Sequence, residues 1–296
     1  MREILLVIVL IFTSGCAPKV ANRWQTRVVE QPPKPLSLHA EVIGQGKPVV
    51  LLHGFGASHV TFSRIVPALS RHFRVYAIDL KGFGDSPKPD DHRYSVYDQA
   101  VLVERFLQKH HLRDVTLIGH SYGGGVALAL ALMDPARIEK MVLIDSASYK
   151  QQLPKLIRWL QIPIVGPLAF YLLPASYEVK ESYKYAFYDD RKIPKDIVSV
   201  YIANLSRPHA KRIYLESSHE LVPEDIECLS RYYRKIRTPT LIIWGANDIV
   251  IPKEKGYRLH RDLPNSRLAI IPRCGHIPHE ESPQKVVKLL EEFMLQ

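Results

Sequence analysis

The chain is organised around Gly119-His120-Ser121-Tyr122-Gly123, which follows an apolar run at residues 115–118 and precedes a helical stretch rich in Ala and Leu. This G-x-S-x-G pattern is typical of a sharp turn from a strand into a helix. Glycines on both sides of Ser121 remove side chains that would collide where the strand and the helix nearly touch. We therefore predict a strained backbone at Ser121, with its hydroxyl held in the open.

Size and charge limit the class of protein. With 296 residues, 46% of them hydrophobic, the chain is long enough to bury one large core and to carry an insertion. Its formal net charge is +10. No run of Lys and Arg interleaved with aromatic residues is present, so we interpret the charge as a solvated basic surface and predict no nucleic-acid partner. No metal-ligand spacing or dinucleotide motif occurs, so neither a metal nor a cofactor is implied.

Residues 1–16 have the three zones of a secretory signal. The basic start Met1-Arg2 is followed by an apolar stretch at residues 4–12 and by small or polar residues up to a cysteine at residues 13–16. The apolar stretch is too short to span a bilayer as a helix. The sequence therefore predicts export from the cytoplasm.

The end of this segment resembles a bacterial lipoprotein signal. In such signals the cysteine, here Cys16, is lipidated on sulfur and becomes the mature N-terminus. Thr13 departs from the leucine usual at that position, and an ordinary signal or an uncleaved anchor is the alternative. Because Ala17 is not aspartate, the resemblance favours the outer membrane of a Gram-negative cell.

Residues 17–35 are polar and proline-rich, which predicts an extended tether between the anchor and the folded domain. Two further cysteines, Cys228 and Cys274, remain. Export permits a disulfide between them, but the sequence cannot place the two thiols within bonding distance, so a free pair is equally compatible.

A second glycine-rich turn follows the apolar run at residues 49–52. It reads His53-Gly54-Phe55-Gly56. Such a turn lets backbone N–H groups point into a pocket, as a developing oxyanion requires.

Together with the stretch at residues 79–86 and the turn at Ser121, this motif resembles the α/β-hydrolase family, from about Leu36 to the C-terminus. The resemblance implies an α/β fold with a mostly parallel central sheet flanked by helices. It also implies an oxyanion hole formed by the backbone N–H groups of Phe55 and Tyr122.

A serine hydroxyl is a poor nucleophile at neutral pH, so it needs a neighbouring base and a group that orients the base. Asp248 and His276 each follow an apolar strand late in the chain, and ligands of open α/β sheets bind beyond such strand ends. The order Ser121, Asp248, His276 is the order of nucleophile, acid and base that the family resemblance implies. Asp145, after an earlier strand, is the alternative acid or a helix cap.

The alternation of strands and helices breaks down in the middle of the chain. There, short amphipathic stretches are cut by prolines, at residues 153–160, 167–173, 177–187, 194–205 and 209–221. In the family, inserted caps of this kind cover the acyl pocket. We therefore predict a helical cap at residues 148–233, inserted into a core formed by residues 36–147 and 234–296.

The aromatic residues of this cap are interpreted mainly as helix-packing residues, with some lining an apolar pocket. A membrane-interfacial surface near Lys155 and Arg158 is the alternative for the first stretch. It would consist of Ile157, Trp159, Leu160, Ile162 and Ile164.

The predicted function is that of an exported serine hydrolase, anchored in the cell envelope through Cys16, which cleaves small carboxylic esters with an apolar acyl group. A carbon–carbon bond hydrolase acting on ring-cleavage products would use the same three residues and is the alternative within the enzyme class. A non-catalytic α/β-hydrolase that serves as a binding protein is the alternative from another class.

Overall fold

A seven-stranded sheet flanked by helices forms the centre of the molecule. The computed structural model describes residues 33–296, so the predicted signal with Cys16, and the predicted tether up to residue 32, lie outside the described residues. The strands are β1 (Ala40–Ile43), β2 (Pro48–Leu52), β3 (Arg74–Ile78), β4 (Val115–His120), β5 (Ile138–Ile144), β6 (Thr240–Gly245) and β7 (Ser266–Ile271).

The strand order is β1-β3-β2-β4-β5-β6-β7. Strand β1 runs antiparallel to β3, and all the other neighbouring pairs are parallel. The prediction of an α/β fold with a mostly parallel sheet is therefore confirmed.

Strand β2 shows why the sheet strands are continuously apolar. Val50 and Leu52 pack into the cluster on one face, whereas Val49 and Leu51 pack into the cluster on the other. Successive side chains of a strand point to opposite faces, and helices cover both faces of a parallel sheet. No position of such a strand therefore requires a polar residue.

Twelve α-helices connect or cover the strands of the described chain, and six of them, α4 to α9, lie between β5 and β6. They are α1 (Val66–Leu69), α2 (Val96–Lys109), α3 (Tyr122–Met133), α4 (Lys155–Leu160), α5 (Val165–Leu172), α6 (Ala175–Ala186), α7 (Lys195–Leu205), α8 (Ala210–His219), α9 (Ile226–Ser230), α10 (Glu254–Asp262), α11 (Pro278–Glu281) and α12 (Pro283–Met294). Helix α9 has no counterpart among the amphipathic stretches identified in the sequence.

The apolar spacing at residues 61–71 predicts one helix, whereas the structure has a 3-10 helix at His59–Phe62 and the short α1. The reason is Pro67, which has no N–H to donate and is favoured only in the first turn of a helix. A new helix therefore begins at Val66.

Helices α4 and α5 form a hairpin with two different faces. Ile157 and Leu160 are buried with Phe170, while Trp159 is 65% exposed and Ile164 is 81% exposed. The predicted interfacial stretch is thus half packing surface and half exposed apolar surface. None of the helices described between residues 33 and 296 is long and apolar enough to cross a bilayer.

Candidate active site

Ser121 lies at the turn between β4 and α3, with a backbone φ of 50°. A Cβ on Gly119 would lie 2.5 Å from the carbonyl oxygen of Gly123, and a Cβ on Gly123 would lie 2.2 Å from that of Leu52. Both positions therefore require glycine. The predicted strained turn holds the Ser121 side chain beyond the carboxyl end of β4, where it lines a cavity.

The structure brings Ser121, His276 and Asp248 together. His276 Nε2 lies 2.9 Å from Ser121 Oγ, and His276 Nδ1 lies 2.8 Å from Asp248 Oδ2. Because Asp248 accepts from Nδ1, Nε2 faces the serine with its lone pair and can take the hydroxyl proton. His276 and Asp248 are only 6% and 7% exposed. Water therefore competes little for their hydrogen bond.

Asp248 is oriented by its own loop. Its Oδ1 accepts hydrogen bonds from the backbone N–H groups of Val250 and Ile251, at 2.7 and 2.9 Å. One carboxylate oxygen is thus held by the loop after β6, and the other is left for the imidazole.

Asp145, the alternative acid, lies directly behind this pair. Its Oδ1 accepts the N–H of Gly245 at 2.9 Å, and its carboxyl lies within 4.8 Å of the nearest polar atoms of Asp248 and His276. Burial, and then the negative charge of Asp248, raise the pKa of Asp145 well above its usual range. Asp248 is therefore the carboxyl that accepts from the His276 imidazole, whereas Asp145 binds the backbone of β6 behind it.

Two neighbouring histidines stay neutral. Burial, followed by repulsion from His279 and His276, lowers the pKa of His120 far below its usual range, and burial followed by His276 lowers that of His279 to about 3. His120 Nε2–H donates to the backbone oxygen of His276 at 2.8 Å. His120 thereby holds the loop that carries His276.

Glu281 also fixes that loop, and sequence reasoning missed it. Its Oε2 accepts the N–H of Gly275 at 2.7 Å and that of Tyr188 at 3.2 Å, while Oε1 accepts the N–H of Asp189 at 2.9 Å. The residue thereby ties the loop before His276 to the chain after α6. The only local signal for this role is that Glu281 is an acid in the first turn of a helix. An acid at that position is equally explained by its favourable interaction with the helix dipole.

The predicted oxyanion loop at residues 53–56 lies against the nucleophile. A Cβ on Gly54 would approach His120 Nδ1 to 2.9 Å and the Ser121 Cβ to 3.4 Å. His53 orders the loop, since its Nδ1–H donates to the Gly54 oxygen at 2.7 Å and its Nε2 accepts the N–H of Leu80 at 2.9 Å. Phe55 lies on this turn.

Tyr122, the other predicted oxyanion residue, is the first residue of α3. Backbone N–H groups in the first turn of a helix have no acceptor within the helix. The Tyr122 N–H is therefore available for hydrogen bonding beside Ser121, and the positive end of the helix dipole favours a developing negative charge there.

A cavity of about 640 Å³ opens onto Ser121 and His276 beneath the helices between β5 and β6. Its walls include Phe55 from the oxyanion loop and the aromatic residues Phe170 and Tyr214. Some of the aromatic residues assigned to the cap thus line the cavity. Two buried carboxyl groups that sequence reasoning did not single out, Glu178 and Glu280, line it too.

Side chains of metal-ligating type meet at three places in the described chain. The groups are His39, His59 and Asp79; Asp90, His92 and Glu216; and Asp145, Asp248 and His276. The third group is engaged in the hydrogen bonds of the site, and Asp79 accepts the N–H groups of His59 and Asp85 at 2.6 and 2.8 Å. The Asp79 carboxylate is thus engaged by backbone N–H groups, and we assign no metal. Neither Cys228 nor Cys274 forms a disulfide in the described chain.

Comparison with known proteins identifies one family, and the similar proteins include both a dienoate hydrolase and an esterase. A family model for the alpha/beta hydrolase fold matches residues 47–283. An uncharacterised hydrolase of Bacillus subtilis, YugF, is 30% identical over 83% of this chain and 89% of its own. A 2-hydroxy-6-oxo-2,4-heptadienoate hydrolase of Pseudomonas putida is 27% identical, over 85% and 90%. The esterase structure from Exiguobacterium antarcticum superposes with a TM-score of 0.76 at 25% identity, over 88% and 96%. The chain therefore belongs to the α/β-hydrolase family.

Proposed function

We propose that this hydrolase cleaves carboxylic esters through an acyl-enzyme. The observation that carries the proposal is the pair of hydrogen bonds joining Ser121, His276 and Asp248, at 2.9 and 2.8 Å, at the base of a largely apolar cavity. Ser121 Oγ attacks the ester carbonyl while His276 Nε2 takes its proton. Asp248 stabilises the imidazolium that forms.

The N–H groups of Phe55 and Tyr122 donate to the oxygen that becomes negative in the tetrahedral intermediate. His276 then returns the proton to the leaving alcohol. A water molecule, deprotonated by the same imidazole, attacks the acyl-enzyme and releases the acid. Loss of one oxyanion donor typically slows such reactions on the order of a hundredfold or more.

Carbon–carbon bond hydrolysis is the second candidate, because the Pseudomonas putida relative is a hydrolase of a dienoate. The charges of the cavity favour ester hydrolysis instead. The lysines that line it in the described chain, Lys155 and Lys184, are exposed, whereas Glu178 and Glu280 are buried. An acidic substrate would therefore lose its hydration without gaining a buried cation.

The test compares two substrate classes on the purified protein. We expect turnover of neutral p-nitrophenyl esters, with kcat/KM varying along an acetate-to-octanoate series, and much lower kcat/KM for a 2-hydroxy-6-oxo-dienoate. Ser121→Ala should lower both by at least about a thousandfold. Faster cleavage of the dienoate than of any ester would favour the second candidate. If the folded protein turns over neither the esters nor the dienoate, the alternative of a non-catalytic binding protein would be favoured.

We further propose that the enzyme works at a membrane surface, attached through a lipid on Cys16. The apolar stretch and cysteine at residues 4–16 support this, as does the hairpin of α4 and α5. Its exposed face carries Trp159, Ile164 and Leu172, and the only charged residues from 153 to 176 are Lys155 and Arg158. An apolar face with basic neighbours suits an anionic lipid surface.

The anchor is tested by feeding labelled palmitate to a bacterial host that expresses the full chain. We expect label in the wild-type protein and in the membrane fraction, and none after Cys16→Ala. Cys228→Ala, which leaves the signal intact, is the matched control and should keep the label. Equal labelling of the Cys16→Ala variant would contradict the proposal.

A further inference from the structure

Glu178 is a buried acid in the wall of the active-site cavity that the proposed reaction does not use. It lies in the first turn of α6, and the residue as a whole is only 3% exposed. The residue lines the same cavity as Ser121 and His276. Its Oε1 is buried and has no hydrogen-bond partner.

No neighbouring cation pairs with this carboxyl in the described chain. Lys211 acts on it through space, but the lysine Nζ donates to the backbone oxygens of Phe170 at 2.6 Å and Leu173 at 2.5 Å. Burial dominates and raises the pKa of Glu178. A buried acceptor without a donor is costly, so its retention in a wall of a cavity points to a ligand that supplies the donor.

A second observation comes from another segment of the chain. Gln151, which precedes α4, also lines the cavity, and its Oε1 is likewise buried without a partner. Four side-chain oxygens of residues that line this cavity are buried without a partner; Tyr201 and Glu280 supply two of them, and Glu178 and Gln151 supply the other two. Hydrogen-bond donors on a bound molecule would satisfy such oxygens.

Glu178 shares the wall of the cavity with Tyr214. Burial, followed by the charge of Glu178, raises the pKa of the Tyr214 phenol. Tyr214 packs on Phe170 and on Phe55 of the oxyanion loop, with ring centroids 5.3 and 4.5 Å apart. Glu178 thus lines the same cavity as Tyr214 and as Phe55 of the loop that faces the ester carbonyl.

We propose that Glu178 is a specificity residue that accepts a hydrogen bond from a hydroxyl or ammonium group of the substrate and rejects substrates with an acidic group at that place. The inference rests on the proposed ester hydrolysis and narrows it. The substrate class is that of esters with an apolar body and one donor group away from the reacting carbonyl. Gln151 is a further unpaired acceptor elsewhere in the wall of the same cavity.

The test uses esters that differ only in their terminal group. One series varies the acyl chain of p-nitrophenyl octanoate, ending in methyl, hydroxyl, ammonium or carboxylate. The other varies the alcohol chain of an acetate ester in the same way, so that a donor on either side of the ester is covered. In whichever of the two series places the terminal group at Glu178, we expect the wild-type kcat/KM of the hydroxyl-ended ester to be about tenfold higher than that of the methyl-ended ester. The kcat/KM of the carboxylate-ended ester should be at least about tenfold lower than that of the methyl-ended ester.

Two variants separate charge from hydrogen bonding. Glu178→Gln keeps an acceptor oxygen, so the hydroxyl preference should persist while the penalty on the carboxylate shrinks several-fold. Glu178→Met keeps the length but has no acceptor oxygen, so the hydroxyl preference should disappear. Glu139→Gln, whose acid pairs with Lys47 at 2.8 Å and does not line the cavity, is the control and should leave both ratios unchanged.

The outcomes distinguish this inference from the ester mechanism. Turnover of the methyl-ended esters with no hydroxyl preference in either series would overturn the role of Glu178 and leave ester hydrolysis intact. If the hydroxyl-to-methyl and carboxylate-to-methyl ratios of kcat/KM are unchanged in both Glu178 variants, the role of Glu178 is likewise overturned and ester hydrolysis stands. Failure of the wild-type protein to hydrolyse any ester would overturn both proposals.

Discussion

At Ser121 the backbone takes a φ of 50°, which costs a non-glycine residue on the order of 1–3 kcal/mol. Hydrogen bonds to the same peptide groups hold it there. The Ser121 N–H donates to the oxygen of Ile144, and the Ser121 oxygen accepts from the N–H groups of Gly124 and Ala147, each at 2.9 Å. The strain is thus maintained by β5 and by the loop after it, as well as by the turn itself.

Two aspartates meet at the site, and their different environments predict different effects of substitution. Asp248 is bonded to His276 Nδ1, so Asp248→Asn should lower kcat/KM by about 10³- to 10⁴-fold, because an amide cannot stabilise the imidazolium and favours the wrong tautomer. Asp145→Asn keeps an oxygen for the Gly245 N–H and should cost less than about tenfold. Steady-state kinetics on neutral esters measures both effects.

The double variant is the control for this assignment. If Asp248 alone serves as the acid, the kcat/KM of the double variant Asp145→Asn/Asp248→Asn should lie within about tenfold of that of Asp248→Asn. Large loss in Asp145→Asn together with high activity in Asp248→Asn would reverse the roles of the two residues.

At the scale of elements, the sequence was informative where a glycine motif adjoins an apolar strand. The motifs around Gly54 and Ser121 predict both strand ends and both turns, because close contacts leave no room for a Cβ there, with side chains at Gly54 and with backbone at Gly119 and Gly123. Asp248 and His276 could be chosen by their place after apolar strands. That Asp145 would lie behind Asp248 depends on β5 pairing with β6, a long-range contact that no local pattern contains.

The helices between β5 and β6 were predictable as amphipathic stretches, but their packing was not. In the sequence, Glu178 stands near the start of a helix, where an acid favours the helix dipole and would be expected on the surface. The structure instead buries it in the cavity wall. Which face of α6 is buried depends on long-range neighbours such as α7, which packs against it.

At the scale of the whole molecule, Glu280 joins elements from distant parts of the chain. Its Oε1 accepts from Thr61 at 2.5 Å, near the start of the fold, and from Tyr183 of α6 at 3.4 Å. Burial raises the pKa of Glu280 from 4.5 to about 8. The carboxyl is therefore protonated in the folded state at neutral pH and ionised in the unfolded state.

This difference predicts a pH dependence of stability. Between pH 4.5 and about 8 the folded state binds one proton more than the unfolded state at Glu280, so the free energy of unfolding falls as the pH rises through this window. The slope approaches about 1.4 kcal/mol per pH unit. Glu280→Gln should remove this part of the slope, and urea unfolding at several pH values measures it.

Glu139→Gln is the control, because Glu139 forms a surface ion pair with Lys47 that contributes little. Its pH profile should run parallel to that of the wild type. Parallel profiles for Glu280→Gln as well would show that Glu280 is ionised in the folded protein.

Acylation of Ser121 by an ester can be detected by mass spectrometry of the intact protein. After rapid mixing with p-nitrophenyl octanoate and acid quenching, we predict a mass increase of one octanoyl group, located by digestion on the peptide that contains Ser121. Ser121→Ala should gain no mass, and His276→Ala should acylate far more slowly. An acyl group on another residue, or ester turnover in the Ser121→Ala variant equal to that of the wild type, would contradict the account.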